Sequence, residues 1–326
     1  MAKSENQKQK LFRLLEILMR YTDEDHGLTM NEIISRLDEY GIAAERKSLY
    51  SDFATLEELG FSVVRLYGNP PAYTLAERIF EMPELKLLVD AIQSSKFITA
   101  EKSFEMIEKL KMFAGSRSSE LARQVYVKDR VKTENAASIY TIDIIHNAIK
   151  ENLRIAFGYF DYDVNKKKYL RHGGERYDVS PKALIWSNDN YYLVAYDERA
   201  GMIKNFRVDK MHKTQIMPKE ASIASDFYRL NPADYSKKSF SMFGGREELV
   251  TLEAREHLSG VVIDRFGRGH TFIKSDFGFR FSVRVIVSKM FFAWVMSFGR
   301  DMRILEPSAV RDEMVDMLVE ISENYD

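Results

Sequence analysis

Arg176-Tyr177-Asp178-Val179-Ser180-Pro181, then Asn190-Tyr191-Tyr192-Leu193-Val194-Ala195-Tyr196, then Asn205-Phe206-Arg207-Val208-Asp209-Lys210 is the stretch on which the reading of the chain turns. It alternates with the period of two expected of strands, yet it sets tyrosines and arginines where a plain barrel needs only aliphatics. Tyrosine faces suit nucleobases, and guanidinium forks suit phosphates. Leu153–Tyr159, Tyr177–Ile185, Tyr191–Tyr196, Met202–Val208 and Thr214–Met217 read as five short strands, with Asn188-Asp189-Asn190 as a tight hairpin turn. Strands this short with no long helix between them predict a small barrel, because closure removes exposed edges.

The order Ser180-Pro181, Tyr191-Tyr192-Leu193 and Phe206-Arg207-Val208-Asp209 resembles the WYL domain family, with Tyr191 standing where the family name has tryptophan. The resemblance implies an Sm- or SH3-like barrel with a basic pocket that senses a nucleotide or a nucleic acid. Carried over by position, it puts Ser180, Tyr192 and Arg207 in that pocket, with Arg176 as a further candidate. Arg207 could take a phosphate bidentately, Tyr192 could stack or donate its hydroxyl, and Ser180 could donate to a phosphate oxygen. The plainer alternative is that the tyrosines fill the barrel and Arg207 pairs with Asp209 or Asp178. Lys166-Lys167-Lys168, close to Arg171 and His172, reads as a basic hairpin tip.

Toward the N-terminus, Leu11, Leu14, Leu15 and Leu18 recur at helical spacing and predict a helix from about Gln7 to Tyr21. Thr29 stands three residues before Glu32, a capping-box spacing, and Ile33, Ile34 and Leu37 supply one buried face. A third helix runs from about Ala43 to Leu59 and stops at Gly60, with Leu49, Phe53, Leu56 and Leu59 on its inner side. Its first turns expose Arg46, Lys47, Ser48, Tyr50 and Ser51, residue types that a recognition helix offers to a major groove. Phe61–Arg65 and Ala72–Leu75 flank Tyr67-Gly68-Asn69-Pro70-Pro71 and read as a hairpin, a wing. Residues 1–80 hold ten Lys and Arg against thirteen Asp and Glu, so phosphate affinity would have to come from local patches. A module that mediates protein contacts alone is the competing reading.

Between about 80 and 150, Leu85, Leu87, Leu88 and Ile92, then Phe104, Ile107 and Leu110, then Ile142, Ile145, Ala148 and Ile149 mark three helices. Such a connector either fixes an angle between domains or forms a dimer interface. Beyond 240, strands and helices alternate as βαββαβ, a ferredoxin-like order, followed by a helix starting at Pro307. This part, especially Ser297-Phe298-Gly299 and Ile304-Leu305-Glu306-Pro307, resembles the WCX-type extension found behind WYL domains. Arg265, Arg268 and His270 are read as loop residues.

The fold class expected is therefore α+β multidomain: a winged helix-turn-helix over 1–77, a helical linker over 78–150, a WYL barrel over 151–220 and a ferredoxin-like extension over 240–326. With 326 residues the chain suits two or three domains. It has no cysteine, which excludes disulfides and thiolate metal sites and suits a reducing cytoplasm. The polar start, Met1-Ala2-Lys3-Ser4-Glu5, is not a signal peptide, and no apolar run is long enough to span a bilayer. Asp161-x-Asp163-x-Asn165 imitates a calcium loop, but Lys166 and His172 stand where glycine and glutamate are needed. No dinucleotide fingerprint, phosphate loop, zinc spacing or nucleophile elbow is present, so neither enzyme, cofactor nor metal is expected.

The resemblance implies a bacterial transcriptional regulator that binds double-stranded operator DNA as a homodimer. Its WYL domain would sense a nucleotide or single-stranded nucleic-acid effector. The alternative is an accessory protein whose barrel grips single strands in support of a partner enzyme.

Overall fold

The computed structural model describes residues 2–121, 132–222 and 229–325, which form two compact units, Met1–Ala136 and Ala137–Asp326. The predicted 78–150 linker is thus not one piece. Its first two helices belong to the first unit and its third belongs to the second.

In the first unit, α1 (Ala2–Tyr21), α2 (Met30–Glu39) and α3 (Arg46–Glu58) close over Leu14, Leu18, Ile33, Leu37, Leu49 and Leu56. A three-stranded antiparallel sheet of β1 (Leu28–Thr29), β2 (Val63–Leu66) and β3 (Ala72–Leu75) completes it, in the order β1-β3-β2. The capping box forms as the spacing predicts: the Glu32 amide donates to Thr29 Oγ1, and the Thr29 amide donates to Glu32 Oε2. Leu59 departs from expectation and is 61% exposed, because α3 ends at Glu58 and the chain turns away at Gly60.

α4 (Met82–Ser94), α5 (Ala100–Lys111) and a 3-10 turn at Gly115–Leu121 pack around Leu85, Val89 and Leu121. They are tied to α1 by polar contacts. Arg78 donates to the carbonyls of Met19 and Thr22, and Asp23 accepts from Ser116 Oγ. Gly115 must be glycine here: its φ is +62°, and a Cβ would sit 1.9 Å from the Thr22 carbonyl oxygen.

In the second unit, α6 (Ser138–Lys150) packs Ile145 and Ala148 against a sheet of β4 (Leu153–Tyr162), β5 (Lys168–Leu170), β6 (Tyr177–Ser187), β7 (Asn190–Asp197), β8 (Met202–Arg207) and β9 (Met211–Glu220). β4 is the spine. Its first part pairs with β6 on one side and β9 on the other, and its end pairs with β5. The sheet therefore runs β9-β4-β6-β7-β8 and curls back, with β8 passing to β9 through a single 3-10 turn at Val208–Lys210. No ladder joins β8 to β9 among the described residues, so the hydrogen-bonded closure expected of a barrel is not made and the sheet is a curled half-barrel. The β6–β7 hairpin turns at Asn188 and Asp189, both at positive φ, the backbone a tight two-residue turn demands.

After α7 (Pro232–Lys238), a second antiparallel sheet follows: β10 (Arg246–Ala254), β11 (Ile273–Lys274), β12 (Phe279–Val287) and β13 (Met302–Glu306) in the order β11-β12-β10-β13. Two βαβ units interleave to make that order. α8 (Ser259–Phe266), α9 (Lys289–Met296) and α10 (Ser308–Ser322) pack Val262, Phe291, Val295 and Val310 with the inward residues of β10 and β12. On β12 the alternation holds from Phe279 to Val285: Phe279, Phe281, Val283 and Val285 are buried, while Arg280, Ser282 and Arg284 are exposed, and Ile286 beyond them is buried too.

Candidate nucleic-acid interface

The first turns of α3 start from Glu45, whose extended backbone begins the helix without a side-chain cap. Leu49, Phe53 and Leu56 anchor its inner side, leaving Arg46, Lys47, Tyr50 and Ser51 exposed as predicted. Ser48 does not join them. Its hydroxyl accepts from Lys10 Nζ at 3.1 Å and donates to the Glu45 carbonyl, so it is turned toward α1. Lys10 also pairs with the buried Asp52 at 2.6 Å, which ties the recognition-type helix to α1 from within.

Two residues beyond the sequence reading complete the face. Tyr73 of β3 hydrogen-bonds through its hydroxyl to that of Tyr50 at 3.0 Å. Arg65 of β2 lies directly opposite Tyr73 in the hairpin register. Burial, then the Tyr50 contact, raises the Tyr73 phenol, while hydrogen bonds from Tyr73 and then Arg46 lower that of Tyr50. Either hydroxyl can donate in this pair, and the bond holds the Tyr50 ring against the wing. Arg46, Lys47, Tyr50, Ser51 and Arg65 make a cationic, hydrogen-bonding face whose aromatic member is held in place. Arg65 and Tyr73 could have been found only by pairing the wing strands, and the sequence alone does not give their register.

Of the four residues expected to line a WYL pocket, Tyr192 and Arg207 are neighbours, and Ser180 and Arg176 are engaged elsewhere. Ser180 is fully buried; its hydroxyl donates to Glu198 and accepts from the Ser222 amide at 2.7 Å, so its bonding capacity is used within the fold. It pairs across the sheet with Tyr196, and Tyr196 lies four residues along β7 from Tyr192, about 13 Å at strand rise. Tyr192 is half-buried against Ile185, Val194 and Met242, and burial raises its phenol.

Arg207 is the cross-strand partner of Tyr192. Its Nε and Nη2 donate to the two carboxylate oxygens of Asp209 at 3.1 and 2.8 Å, and Nη2 also reaches Asn190 Oδ1 at 3.0 Å. The plainer alternative, an Arg207–Asp209 pair, is the one realised. The Arg207 amide donates to the hydroxyl of Tyr159, a phenol that burial pushes up to about 12. Arg176 donates to the carbonyls of Ala156 and Lys213 and to Gln215 Oε1, bracing β4 and β9 where their register shifts.

The neighbouring basic groups divide in the same way. Arg171 and Lys210 both hold Asp161, whose carboxyl the Arg171 hydrogen bond keeps at about 2, and this removes the calcium-loop mimic. His172 Nε2 meets the Tyr177 hydroxyl at 2.9 Å, and Arg265 caps the Ser239 carbonyl. Lys166 and Lys167 stand exposed at the β4–β5 tip. Among the described residues no group of His, Asp and Glu is placed to hold a metal, and no helix is long and apolar enough to cross a membrane.

The C-terminal sheet presents a different cluster. Glu253 on β10 is 1% exposed and is held by Arg280 from β12 and Arg303 from β13, both at 2.8 Å through Nε. Burial alone would raise its carboxyl, but hydrogen bonds from Arg280, Arg303 and Ser275 outweigh that and hold it at about 2.

Comparison with known proteins places these regions. The WYL domain profile matches residues 140–216 and the WCX domain profile matches residues 246–322. Among solved structures, proteasome accessory factor B/C of Arthrobacter aurescens is similar at 20% identity over 94% of this chain and 47% of that one, with a TM-score of 0.28. This chain thus spans about half the length of that relative. A CRISPR Cas-related protein is similar at 11% identity over 77% of this chain and 75% of its own, with a TM-score of 0.35. No curated protein matches the chain. The WYL match begins inside α6, which packs on the half-barrel, and the WCX match coincides with the second sheet and its helices. The chain thus carries a WYL domain over residues 140–216 and a WCX domain over residues 246–322.

Proposed function

We propose that this protein is a transcriptional regulator. Its N-terminal winged helix-turn-helix reads duplex DNA, and its WYL–WCX unit responds to a nucleotide or single-stranded nucleic-acid effector. The observation that carries the reading is the face of α3: Arg46, Lys47, Tyr50 and Ser51 point outward beside Arg65 of the wing, and Tyr73 fixes the Tyr50 ring. Helix N-terminal turns of this composition contact base edges and phosphates in a major groove, while a wing adds backbone contacts. The WYL and WCX domains support the regulatory half of the reading. A regulator of this design works as a homodimer on a pseudo-palindromic operator.

Footprinting of the full chain on genomic DNA tests the reading. Discrete protected duplex sites are expected, weakened by Lys47→Ala and by Tyr50→Ala. Removing a base-edge interaction of Tyr50 costs about 1–3 kcal/mol at one site position, whereas removing the Lys47 phosphate interaction weakens all sequences alike and lowers the salt slope by about one. Binding that survives both substitutions unchanged would sink the recognition face.

A further inference from the structure

Three helices cover one side of the WCX sheet and leave the other side open. Along β12 the open side carries Arg280, Ser282 and Arg284; β10 carries Leu249, Thr251 and Glu253 opposite them. Arg303 adds a third guanidinium from the far strand. The carboxylate in the middle of this face, Glu253, is buried and shared by two arginines whose side chains remain more than half exposed. At the other end Glu247 is held by Lys238 at 2.8 Å and lies 4.0 Å from Arg284, which is 63% exposed. Glu306 of β13, the exposed register partner of Thr251, is a third carboxylate, so Arg280, Arg284, Arg303 and Lys238 outnumber the acids by one. Thr251 and Ser282 link their hydroxyls at 3.0 Å between the two arginine rows. At one corner the Arg255 and Arg303 guanidiniums lie 4.2 and 4.6 Å from the Phe277 ring centroid, a cation–aromatic cluster.

We propose that this open sheet face binds the backbone of a single-stranded nucleic acid, a site that rests on the effector half of the reading above. Arg280 to Arg284 spans about 13 Å of extended strand, room for an extended backbone to lie across the face. Guanidinium forks match phosphate oxygens, and hydroxyls between them supply neutral donors. The guanidinium–Phe277 corner stacks an unpaired base, which a duplex would keep hidden. By analogy of fold alone, RRM domains use the same face of a four-stranded sheet to stack bases on central aromatics. Here the central positions are Arg, Ser and Arg, so contact is to phosphate and carries little sequence preference.

Anisotropy of a labelled oligothymidylate with the full chain at a series of salt concentrations tests this. Ser282→Asp adds a negative charge to the face and Arg284→Glu inverts one, and neither removes a partner of Glu253. Each is expected to weaken binding about tenfold and to flatten the salt dependence by about 0.7 for each phosphate the face no longer neutralises. Binding to an operator duplex, followed in parallel, is expected to be unaffected by them and weakened by Lys47→Ala, so failure of this site and failure of the DNA reader are told apart. Oligothymidylate that does not bind the wild-type chain, or binds both variants as it binds wild type, overturns the proposal. So does displacement by polyglutamate as effective as by unlabelled oligothymidylate, since the face would then suit an acidic protein segment.

Discussion

The half-barrel and the C-terminal sheet use the same chemistry, cation on carboxylate, with the cations more sheltered in the first than in the second. In the half-barrel Arg207 meets Asp209 one to one and adds Asn190, while Arg171 and Lys210 are spent on Asp161. In the C-terminal sheet one buried glutamate is divided between Arg280 and Arg303, and Arg284 stands beyond them. An arginine whose fork is filled by its own fold and sheltered by it is a brace. One that stands more than half exposed keeps charge for something outside. Residue type marks neither role; the exposure of the guanidinium does.

Breaking the brace should have the larger cost. Arg207→Ala removes one donor from Asp209 and one from Asn190 and is expected to cost about 2 kcal/mol, below the range for a fully buried pair because Arg207 is 37% exposed. The urea midpoint reads this; a change within about 0.5 kcal/mol would mean that the pair is not structural. Ser180→Ala strips the Ser222 amide and Glu198 of a shared partner and is expected to cost about 1.5 kcal/mol. Unchanged stability with altered effector response would return Ser180 to the pocket in which the resemblance set it.

The shared carboxylate gives a pH signature. The Glu253 carboxyl is held at about 2 in the folded chain against an ordinary 4.5, so its contribution is complete above about pH 4.5 and drains away as pH falls toward 2. Glu253→Gln should flatten that limb of an acid-unfolding profile and leave the rest of its shape alone. The smallest effect belongs to the outermost cation of the face: Arg284→Ala is expected to move stability by no more than about 0.5 kcal/mol, as for a surface site with one distant partner.

Much of this architecture is legible in the chain. The strands of the half-barrel, the Asn188–Asp189 turn, the Thr29–Glu32 capping box and the βαββαβ order all follow from local periodicity and turn chemistry, which act over a few residues. The site is legible only in part. Arg46, Lys47, Tyr50 and Ser51 share a helix face, so a helical period finds them; Ser48 is drawn away by Lys10, a partner 38 residues distant in the chain. Ser180, Tyr192, Arg207 and Arg176 are expected together because a family pattern sets them in order along the chain. Whether they meet depends on strand register and on Glu198, Asp209 and Gln215 taking up their donors. The arginines of the C-terminal sheet escape a linear reading for the same reason, since Glu253, Arg280 and Arg303 become neighbours only when β10, β12 and β13 pair.

The central claim is that one end of this chain reads duplex DNA under the control of an anion held at the other. It is tested most directly by titrating operator duplex against the full chain with and without saturating oligothymidylate. Duplex affinity is expected to change by about fivefold or more in the wild-type chain and to stay constant in Arg284→Glu. An affinity that the oligonucleotide leaves unchanged in the wild-type chain would contradict it.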